Sequence, residues 1–269
     1  MTLEIASVTK SFRVPGKSGT QRLQALAEVS HHQASGEFVS VLGPSGCGKS
    51  TLLRIIDGLT PPTTGLVRLN GRTITGPGPD RAMVFQSHNL LPWRSVVRNV
   101  EFGLEMLRVP KAERRERADA MLALVGLSAF GDYYPAQLSG GMAQRVGLAR
   151  ALVMEPEILL MDEPFGALDA QSRIVLQREL ERILTVARRG VVFVTHDLEE
   201  AIFLGDRILV MSPRPGRVIE EIQVPFGRPR QQELRGHPEF AALKARVWQV
   251  LERSGASPED SHIPASDER

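Results

Sequence analysis

Apolar and polar positions follow two different periods along this chain, and together they predict an α/β protein. Apolar runs at residues 38–42, 158–161 and 191–194 are nearly continuous, as in parallel strands that are covered on both faces. The stretches at residues 97–107 and 111–125 instead carry apolar positions at helical spacing. Strands therefore come first, helices follow in the middle of the chain, and strands return after them.

The first part of the chain predicts short strands separated by turns. Residues 3–8 and 23–29 have strand-like patterns, whereas residues 13–20 between them are polar and rich in turn residues. Residues 65–71 alternate and end in Asn-Gly, which is a hairpin signal.

The last part of the chain predicts a closing pair of strands and a tail. The pair covers residues 207–211 and 218–222, and a break rich in Gly, Pro and Arg follows it. We predict one domain over residues 1–230, with a helical subdomain over about 87–153. Residues 231–269 form a short helical C-terminal tail whose polar end is expected to be disordered.

Composition places the chain among ordinary soluble globular proteins. It has 269 residues, of which 42% are hydrophobic and 24% charged. A net charge of +2 is too small to indicate a surface for polyanions. A single cysteine excludes an internal disulfide and favours a reducing compartment. We see neither a signal peptide nor an apolar run long enough to span a bilayer.

A glycine-rich loop follows the apolar run at residues 38–42 and leads into a helix-like segment. It has the G-x-x-x-x-G-K-[ST] pattern of phosphate-binding loops in the required setting of strand, turn and helix. Backbone N–H groups converge on phosphate oxygens in such loops, while Lys49 would reach the terminal phosphates and the Ser50 hydroxyl would bind Mg²⁺. The predicted nucleotide-binding residues are Gly43, Pro44, Ser45, Gly46, Cys47, Gly48, Lys49, Ser50 and Thr51.

Two acidic residues follow the apolar run at residues 158–161. Ligands bind at the carboxyl ends of parallel strands, so Asp162 suits the role of holding Mg²⁺ through water, opposite Ser50. Glu163 points differently and is placed to polarise the water that attacks the γ-phosphate. The alternative is an acidic helix start or loop start after a strand.

A second glycine-rich sequence, Ser139-Gly140-Gly141, lies at a predicted helix start. A serine N-cap explains Ser139 alone. It does not explain two glycines in the first turn, each of which costs about 1 kcal/mol. These residues therefore indicate a second anion-binding nest.

The motifs together resemble those of ABC-type ATPases, and the resemblance covers about residues 1–225. It implies a P-loop NTPase fold with a RecA-like core, an antiparallel β subdomain and a helical insertion, and it implies hydrolysis of ATP with Mg²⁺. The motifs, in the family's order, are the phosphate loop, Gln86 after a short strand, Leu138-Ser139-Gly140-Gly141, Asp162-Glu163-Pro164, Ala167-Leu168-Asp169 and Thr195-His196-Asp197.

In that family two cassettes pair head to tail. The resemblance therefore implies a homodimer, in which the Ser-Gly-Gly nest of one chain closes over the γ-phosphate that the other chain holds. Gln86 would sense the γ-phosphate and contact Mg²⁺ or the attacking water. His196 would contact the γ-phosphate, and Asp169 would lie at the dimer seam.

The resemblance is inexact at two positions, and it gives one aromatic residue a role. Met142 stands where the family usually has Gln, and Phe12 where it usually has Tyr. Phe12 would stack on adenine, and the alternative is a buried core phenylalanine. His31 and His32 are adjacent on a strand-like segment and would face opposite ways, so we do not predict a metal site there.

A single cassette with no transmembrane part resembles the ATPase subunit of a bacterial importer. That implies integral-membrane permease subunits as partners, indirectly a periplasmic solute-binding protein, no nucleic acid, and a peripheral position on the cytoplasmic face of the inner membrane. Residues 163–169, 211–217 and 224–230 are similar to ATPases of nitrate, sulfonate and taurine importers. The alternatives are an importer subunit for another solute class, a soluble ABC ATPase acting on nucleic acid or ribosomes, and a nucleotide-gated regulator with little turnover.

Overall fold

The fold is known from a computed structural model that describes residues 2–16, 19–87, 89–166, 168–187 and 189–255. The chain divides into two compact units. One comprises Met1–Pro77 together with Val192–Arg269, and the other comprises Gly78–Val191.

The first unit begins with most of the antiparallel strands. Its elements up to the second unit are β1 (Leu3–Gly16), β2 (Gly19–Gln33), β3 (Phe38–Leu42), α1 (Lys49–Asp57), β4 (Thr64–Leu69) and β5 (Arg72–Thr73).

The second unit is mainly helical. Its elements are β6 (Arg81–Val84), α2 (Val96–Met106), α3 (Lys111–Leu124), 3-10 helices at Ser128–Phe130 and Pro135–Gln137, α4 (Gly140–Leu152), β7 (Ile158–Asp162) and α5 (Ala170–Ala187).

The chain then returns to the first unit through β8 (Gly190–Thr195). The remaining elements are α6 (Leu198–Leu204), β9 (Arg207–Met211), β10 (Val218–Gln223), a 3-10 helix at Gln232–Gly236 and α7 (Pro238–Arg253).

Two groups of strands organise the first unit. One sheet has the order β2-β1-β4-β5, with antiparallel pairs throughout. In the other group β10, β9, β3 and β8 are successive neighbours, with β3 and β9 parallel. The predicted run at residues 38–42 is β3, all of whose residues are buried. This burial on both faces explains its continuous apolar sequence.

The prediction of a turn-rich polar connection at residues 13–20 is wrong for the described part of that run. β1 and β2 continue as a long antiparallel ribbon in which Arg13 pairs with Arg22 and Pro15 with Thr20. Among the described residues, β1 pairs with β4 only as far as Thr9. Proline is compatible with this part of the strand because edge positions do not need every backbone N–H.

The Asn-Gly hairpin is confirmed. Leu69 pairs with Arg72 across the two-residue turn, and both turn residues have positive φ, 51° at Asn70 and 77° at Gly71. This is the backbone geometry that favours Asn-Gly in tight hairpins.

The second unit confirms the predicted helices of the middle of the chain. β6 pairs with β7 in parallel, and α4 packs against α2 and α3. On α3, Ala118 and Leu122 are buried while Glu113, Arg115 and Glu116 are exposed. The mixed charges of this helix therefore face solvent.

The tail forms the predicted helix α7, which buries Phe240, Leu243, Val247 and Leu251. The prediction of disorder concerns the polar end from Gly255 onward, and residues 256–269 of it lie outside the described residues. Among the described residues, no helix combines the length and apolarity that crossing a membrane requires.

Candidate functional site

The phosphate loop joins the buried strand β3 to α1 in the first unit. Its backbone turns through two glycines with positive φ, 72° at Gly46 and 107° at Gly48. A Cβ on Gly48 would lie 2.7 Å from Leu26 Cδ2 and 2.9 Å from the Ala25 carbonyl oxygen. Both the backbone conformation and the close packing on β2 therefore require glycine at position 48.

Lys49 is the first residue of α1, and it is only 4% exposed. Its Nζ donates hydrogen bonds to the carbonyl oxygens of Gly43 at 2.8 Å and Pro44 at 3.0 Å. A buried ammonium and the positive end of a helix thus meet at one loop. This donor set suits an anion such as a phosphate group. Ser50 lies one residue further, half-buried in the first turn.

Cys47 is 1% exposed, and its Sγ would be 3.1 Å from a Cβ built on Gly43. The thiol is therefore packed inside the loop. Such burial is that of a small residue that fills space in the loop.

Phe12, on β1, is 38% exposed, so the alternative of a buried core phenylalanine is wrong. The ammonium of Lys10 lies 4.9 Å from the centre of its ring. An exposed ring beside a cation is accessible for stacking. Adenine binding by Phe12 stays a prediction.

His196 lies between the end of β8 and the start of α6, and its side chain is exposed. Two neighbours hold the backbone around it. The Thr195 hydroxyl donates to Glu200 Oε2 at 2.7 Å and accepts from the Asp197 N–H at 3.0 Å. Asp197 Oδ1 in turn accepts the N–H groups of Glu199 and Glu200, at 2.8 and 3.1 Å.

Thr195 and Glu200 were missed as supporting residues in the sequence analysis. A signal was present, because Asp197 followed three residues later by Glu200 has the spacing of a helix-capping box. In the structure Glu200 accepts a hydrogen bond from the Thr195 hydroxyl, so it braces the loop that carries His196.

In the second unit, Asp162 ends β7 and is 8% exposed. Glu163 follows with φ of 44°, a left-handed conformation that is uncommon for a residue other than glycine. The turn is closed by a hydrogen bond from the Gly166 N–H to the Glu163 carbonyl at 3.1 Å. Glu163 therefore lies in a tight turn directly after the buried end of β7.

The structure brings Gln86 and Glu163 to the same place. A Cβ built on Gly166 would lie 3.5 Å from Gln86 Nε2 and 4.0 Å from Glu163 Oε2. The amide and the carboxylate thus both approach Gly166, which lies in the exposed turn after β7. Ala167, the next residue of the predicted motif, lies outside the described residues.

The second glycine-rich motif forms the start of α4. Ser139 is the N-cap, and its Oγ accepts the N–H of Met142 at 3.3 Å. Gly140 and Gly141 are the first two helical residues. Because Ser139 and Gly140 are exposed, the N–H groups of this helix start are accessible to an external anion.

Asp169 caps α5 beside this motif. Its Oδ1 accepts the N–H groups of Gln171 at 3.1 Å and Ser172 at 3.0 Å. The Ser172 side chain and then these backbone groups lower the pKa of Asp169. A Cβ on Gly141 would lie 3.8 Å from Ser172. Asp169 and the glycine motif therefore both neighbour Ser172, within the second unit.

Within the described ranges, no group of three or more His, Cys, Asp or Glu residues is arranged to hold a metal ion. His31 is 6% exposed, and its Nδ1 lies 3.0 Å from Glu221 Oε1. His32, the next residue, is exposed. The two histidines thus face apart.

The predicted site residues therefore fall into two sets. The first unit holds the phosphate loop, Phe12 and His196, and the second unit holds Gln86, Asp162, Glu163, Asp169 and the Ser-Gly-Gly motif. Each set contains a glycine-rich helix start that suits an anion.

Comparison with known proteins gives consistent results. The family profile described as ABC transporter matches residues 26–166. An uncharacterized ABC transporter ATP-binding protein of Methanocaldococcus jannaschii is 48% identical, over 93% of this chain and 91% of its own length. The taurine import ATP-binding protein TauB of Rhizobium johnstonii is 47% identical, over 85% of this chain and 89% of its own.

Solved structures agree with the sequence comparison. A dimeric ATP-binding cassette in a post-hydrolysis state, bound to ADP and Pi, matches with a TM-score of 0.73 and 34% sequence identity. The match covers 84% of this chain and 100% of the chain in that structure. A second structure, of a cassette from the cbiONQ transporter complex of Clostridium perfringens, also has a TM-score of 0.73, at 26% identity.

Proposed function

The chain belongs to the ABC transporter family as an ATP-binding and ATP-hydrolysing subunit with the α/β fold of ABC ATPases, and from this we propose that it drives an importer of a small solute. The solute is of the nitrate, sulfonate and taurine class. The observation that carries this assignment is the 47% identity to taurine import ATP-binding proteins over most of the chain.

The phosphate loop binds the triphosphate of ATP. The buried Lys49 ammonium and the N–H groups at the start of α1 attract the phosphate oxygens, and residues 43–51 surround them. The exposed ring of Phe12 stacks on the adenine. Stacking selects no particular base, so the phosphate contacts provide most of the affinity.

Mg²⁺ would be held by the Ser50 hydroxyl, by Asp162 through water and by Gln86. Hydroxyl, amide and carboxylate oxygens are ligands that Mg²⁺ accepts, and it commonly shares them with substrate phosphates. When bound, the ion neutralises charge on the phosphate oxygens. Because phosphate oxygens of the nucleotide would supply part of the Mg²⁺ coordination, the protein does not have to provide all of the ligands itself.

Glu163 is the base that polarises the attacking water, and His196 contacts the γ-phosphate. The left-handed turn at Glu163 and the approach of Gln86 to Gly166 support these roles, because both side chains are held at an exposed turn. The Thr195–Glu200 bond gives His196 a fixed backbone. Fixed geometry is what positioning a reacting phosphate requires.

Two copies of the chain act together. The exposed helix start at Ser139, Gly140 and Gly141 binds the γ-phosphate held by the partner copy, and Asp169 lies at the seam. Neither copy alone completes the site, so hydrolysis depends on closure of the pair. The dimeric cassette among the solved relatives supports this arrangement.

The helical unit docks a helix of a permease subunit. Large apolar side chains lie on its surface, with Trp93 73% exposed, Tyr133 43% and Tyr134 49%. The N–H of Val96 donates to the Tyr133 carbonyl at 2.7 Å, which holds the segment after Trp93 beside the tyrosines. Exposed apolar patches of this kind mark interaction surfaces. The permease thereby holds the subunit at the cytoplasmic face of the membrane, where a periplasmic solute-binding protein delivers solute from the other side.

Solute uptake by whole cells tests the proposal. We expect that deleting the gene abolishes uptake of labelled taurine, an alkanesulfonate or nitrate, and that the wild-type gene restores it. Lys49→Ala should not restore uptake, because the phosphates lose their buried cation. Arg54→Ala, an exposed residue on the same helix, is the matched control and should restore it fully. Unchanged uptake of all three solutes after deletion would contradict the assigned solute class.

A further inference from the structure

The connection between β9 and β10 is a closed, hydrogen-bonded loop. The Ser212 N–H donates to the Arg217 carbonyl at 3.0 Å, and the Arg217 N–H donates to Ser212 Oγ at 3.2 Å. These two bonds tie the ends of the loop together. We call residues 212–217 the clamp loop.

The clamp loop is anchored on β2, directly beside the phosphate loop. The Gly216 N–H donates to the Ala25 carbonyl at 3.0 Å, and the Gly216 carbonyl accepts the N–H of Ala27 at 2.9 Å. A Cβ on Gly216 would lie 1.9 Å from the carbonyl oxygen of Cys47. The clamp loop therefore packs against the backbone of the phosphate loop without room for another atom.

Arg214 makes the polar contact between the two loops. Its Nε and Nη2 both donate to the carbonyl oxygen of Gly46, at 3.1 and 3.0 Å. Gly46 is one of the two loop glycines with positive φ, so nothing in its own conformational preference fixes this peptide. The guanidinium fixes it from outside the loop.

The orientation of that peptide matters for anion binding. In a trans peptide the carbonyl and the following N–H point in opposite directions, so holding the Gly46 oxygen outward turns the Cys47 N–H inward. The Cys47 N–H makes a long contact of 3.4 Å with the Pro44 carbonyl, which also accepts from Lys49 Nζ. The Cys47 N–H and the Lys49 ammonium thus face the same interior.

We propose that Arg214 is a positioning residue for nucleotide binding, acting through the Gly46–Cys47 peptide. The proposal rests on the proposed function of residues 43–51 as the ATP phosphate loop. Arg214 keeps the Cys47 N–H aimed at the phosphates before nucleotide arrives, so the loop does not have to be ordered during binding. Its charge also adds to the positive potential around the loop.

Nucleotide titrations of the full-length protein test the proposal. We expect Arg214→Ala to raise the Kd for ATP and for ADP about five- to tenfold, the effect of losing a charge-assisted hydrogen bond. The KM for ATP should rise by the same factor while kcat at saturating ATP changes less than about twofold, because bound nucleotide itself orders the loop. Arg214→Lys, which keeps the positive charge on a single donor nitrogen, should recover part of the affinity.

Arg217→Ala is the matched control, since Arg217 is an exposed arginine of the same clamp loop that contacts Ser212 through its backbone. It should bind nucleotide like the wild type. Equal affinities for Arg214→Ala, Arg217→Ala and the wild type would overturn the role of Arg214 while leaving the ATPase assignment intact. A wild-type protein that binds no nucleotide would overturn both.

Discussion

At the scale of single residues, the structure shows which buried polar groups depend on distant neighbours. His31 is one of these buried polar groups. Burial lowers the pKa of its imidazole, whereas the hydrogen bond to Glu221 acts in the opposite direction. Arg207 and Glu37 also face this group, joined by a bond of 2.8 Å. His31 Nε2 is buried and makes no hydrogen bond within the described residues. A proton there would lack an acceptor.

We therefore predict that protonation of His31 destabilises the fold. Its folded-state pKa lies below the value of 6.5 expected for the unfolded chain. The stability that neutral His31 contributes is therefore complete above the unfolded-state pKa of 6.5. It is lost as the pH falls from there through the folded-state pKa. His31→Gln should make the free energy of unfolding, measured by urea titration, fall less between about pH 7 and about pH 5.

The control for this prediction is His32→Gln at the exposed neighbouring position. That variant should keep the wild-type pH dependence. The same slope in His31→Gln and in the wild type would show that His31 does not couple folding to pH.

At the scale of elements, α6 is a short helix fixed at both ends. Asp197 caps its first turn, as described above, and Arg230 caps its last. Arg230 is 6% exposed, and its Nη1 donates to the carbonyl oxygens of Ile202, Phe203 and Gly205 at 3.0, 3.0 and 2.8 Å. The last carbonyls of a helix have no partner within the helix and attract a cation. Arg230, which lies directly before the C-terminal tail, therefore holds the helix that follows His196.

We predict that Arg230→Met lowers the free energy of unfolding by about 3 kcal/mol, because several buried carbonyls lose their donor at once. Arg246→Met, which removes an exposed ion pair with Glu220, should cost less than about 1 kcal/mol. Denaturant titration of both variants measures the difference. Equal and small losses would mean that Arg230 contributes no more than a surface pair.

Sequence patterns identified nearly all elements but not their lengths. Burial on both faces makes β3, β7 and β8 continuous apolar runs, so their local sequence is sufficient. The long ribbon of β1 and β2 was missed because its outer half is polar and contains proline and glycine. Its strand conformation comes from pairing with the opposite strand, which local propensity does not record.

At the scale of the whole molecule, the proposed mechanism requires two copies. Glu163 and the Ser139 helix start both lie on exposed or half-buried turns of the helical unit. A γ-phosphate bound between copies would satisfy the exposed N–H groups of that helix start. Oligomeric state should therefore depend on nucleotide.

We predict that Glu163→Gln binds ATP but hydrolyses it at least about a hundredfold more slowly, since the water loses its base. Size-exclusion chromatography should show a dimer of this variant with ATP and a monomer without it. A variant that stays monomeric with ATP and turns over normally would contradict both the paired site and the role of Glu163.

Ser139→Arg tests the other half of the paired site. A bulky side chain at the helix start should block contact with the partner's γ-phosphate, so hydrolysis falls while each chain still binds ATP. The lost N-cap costs about 1 kcal/mol, so thermal melting must show that the variant is folded. Ser128→Arg, at another exposed helix start of the same unit, is the control. Full activity of Ser139→Arg would mean that the motif is only a helix start.

The sequence by itself determined the family, the fold class and the candidate chemistry of this protein. These depend on local patterns, because a phosphate loop needs its glycines and lysine at fixed spacing, and a strand or helix needs its own apolar period. Tertiary structure alone decided which residues support that chemistry. Arg214 donates to the carbonyl of Gly46, which lies 168 residues earlier in the sequence. Arg230 donates to carbonyls at the end of α6, which lie 25 to 28 residues earlier. Such contacts follow from how strands and loops pack in space, and no local pattern encodes them.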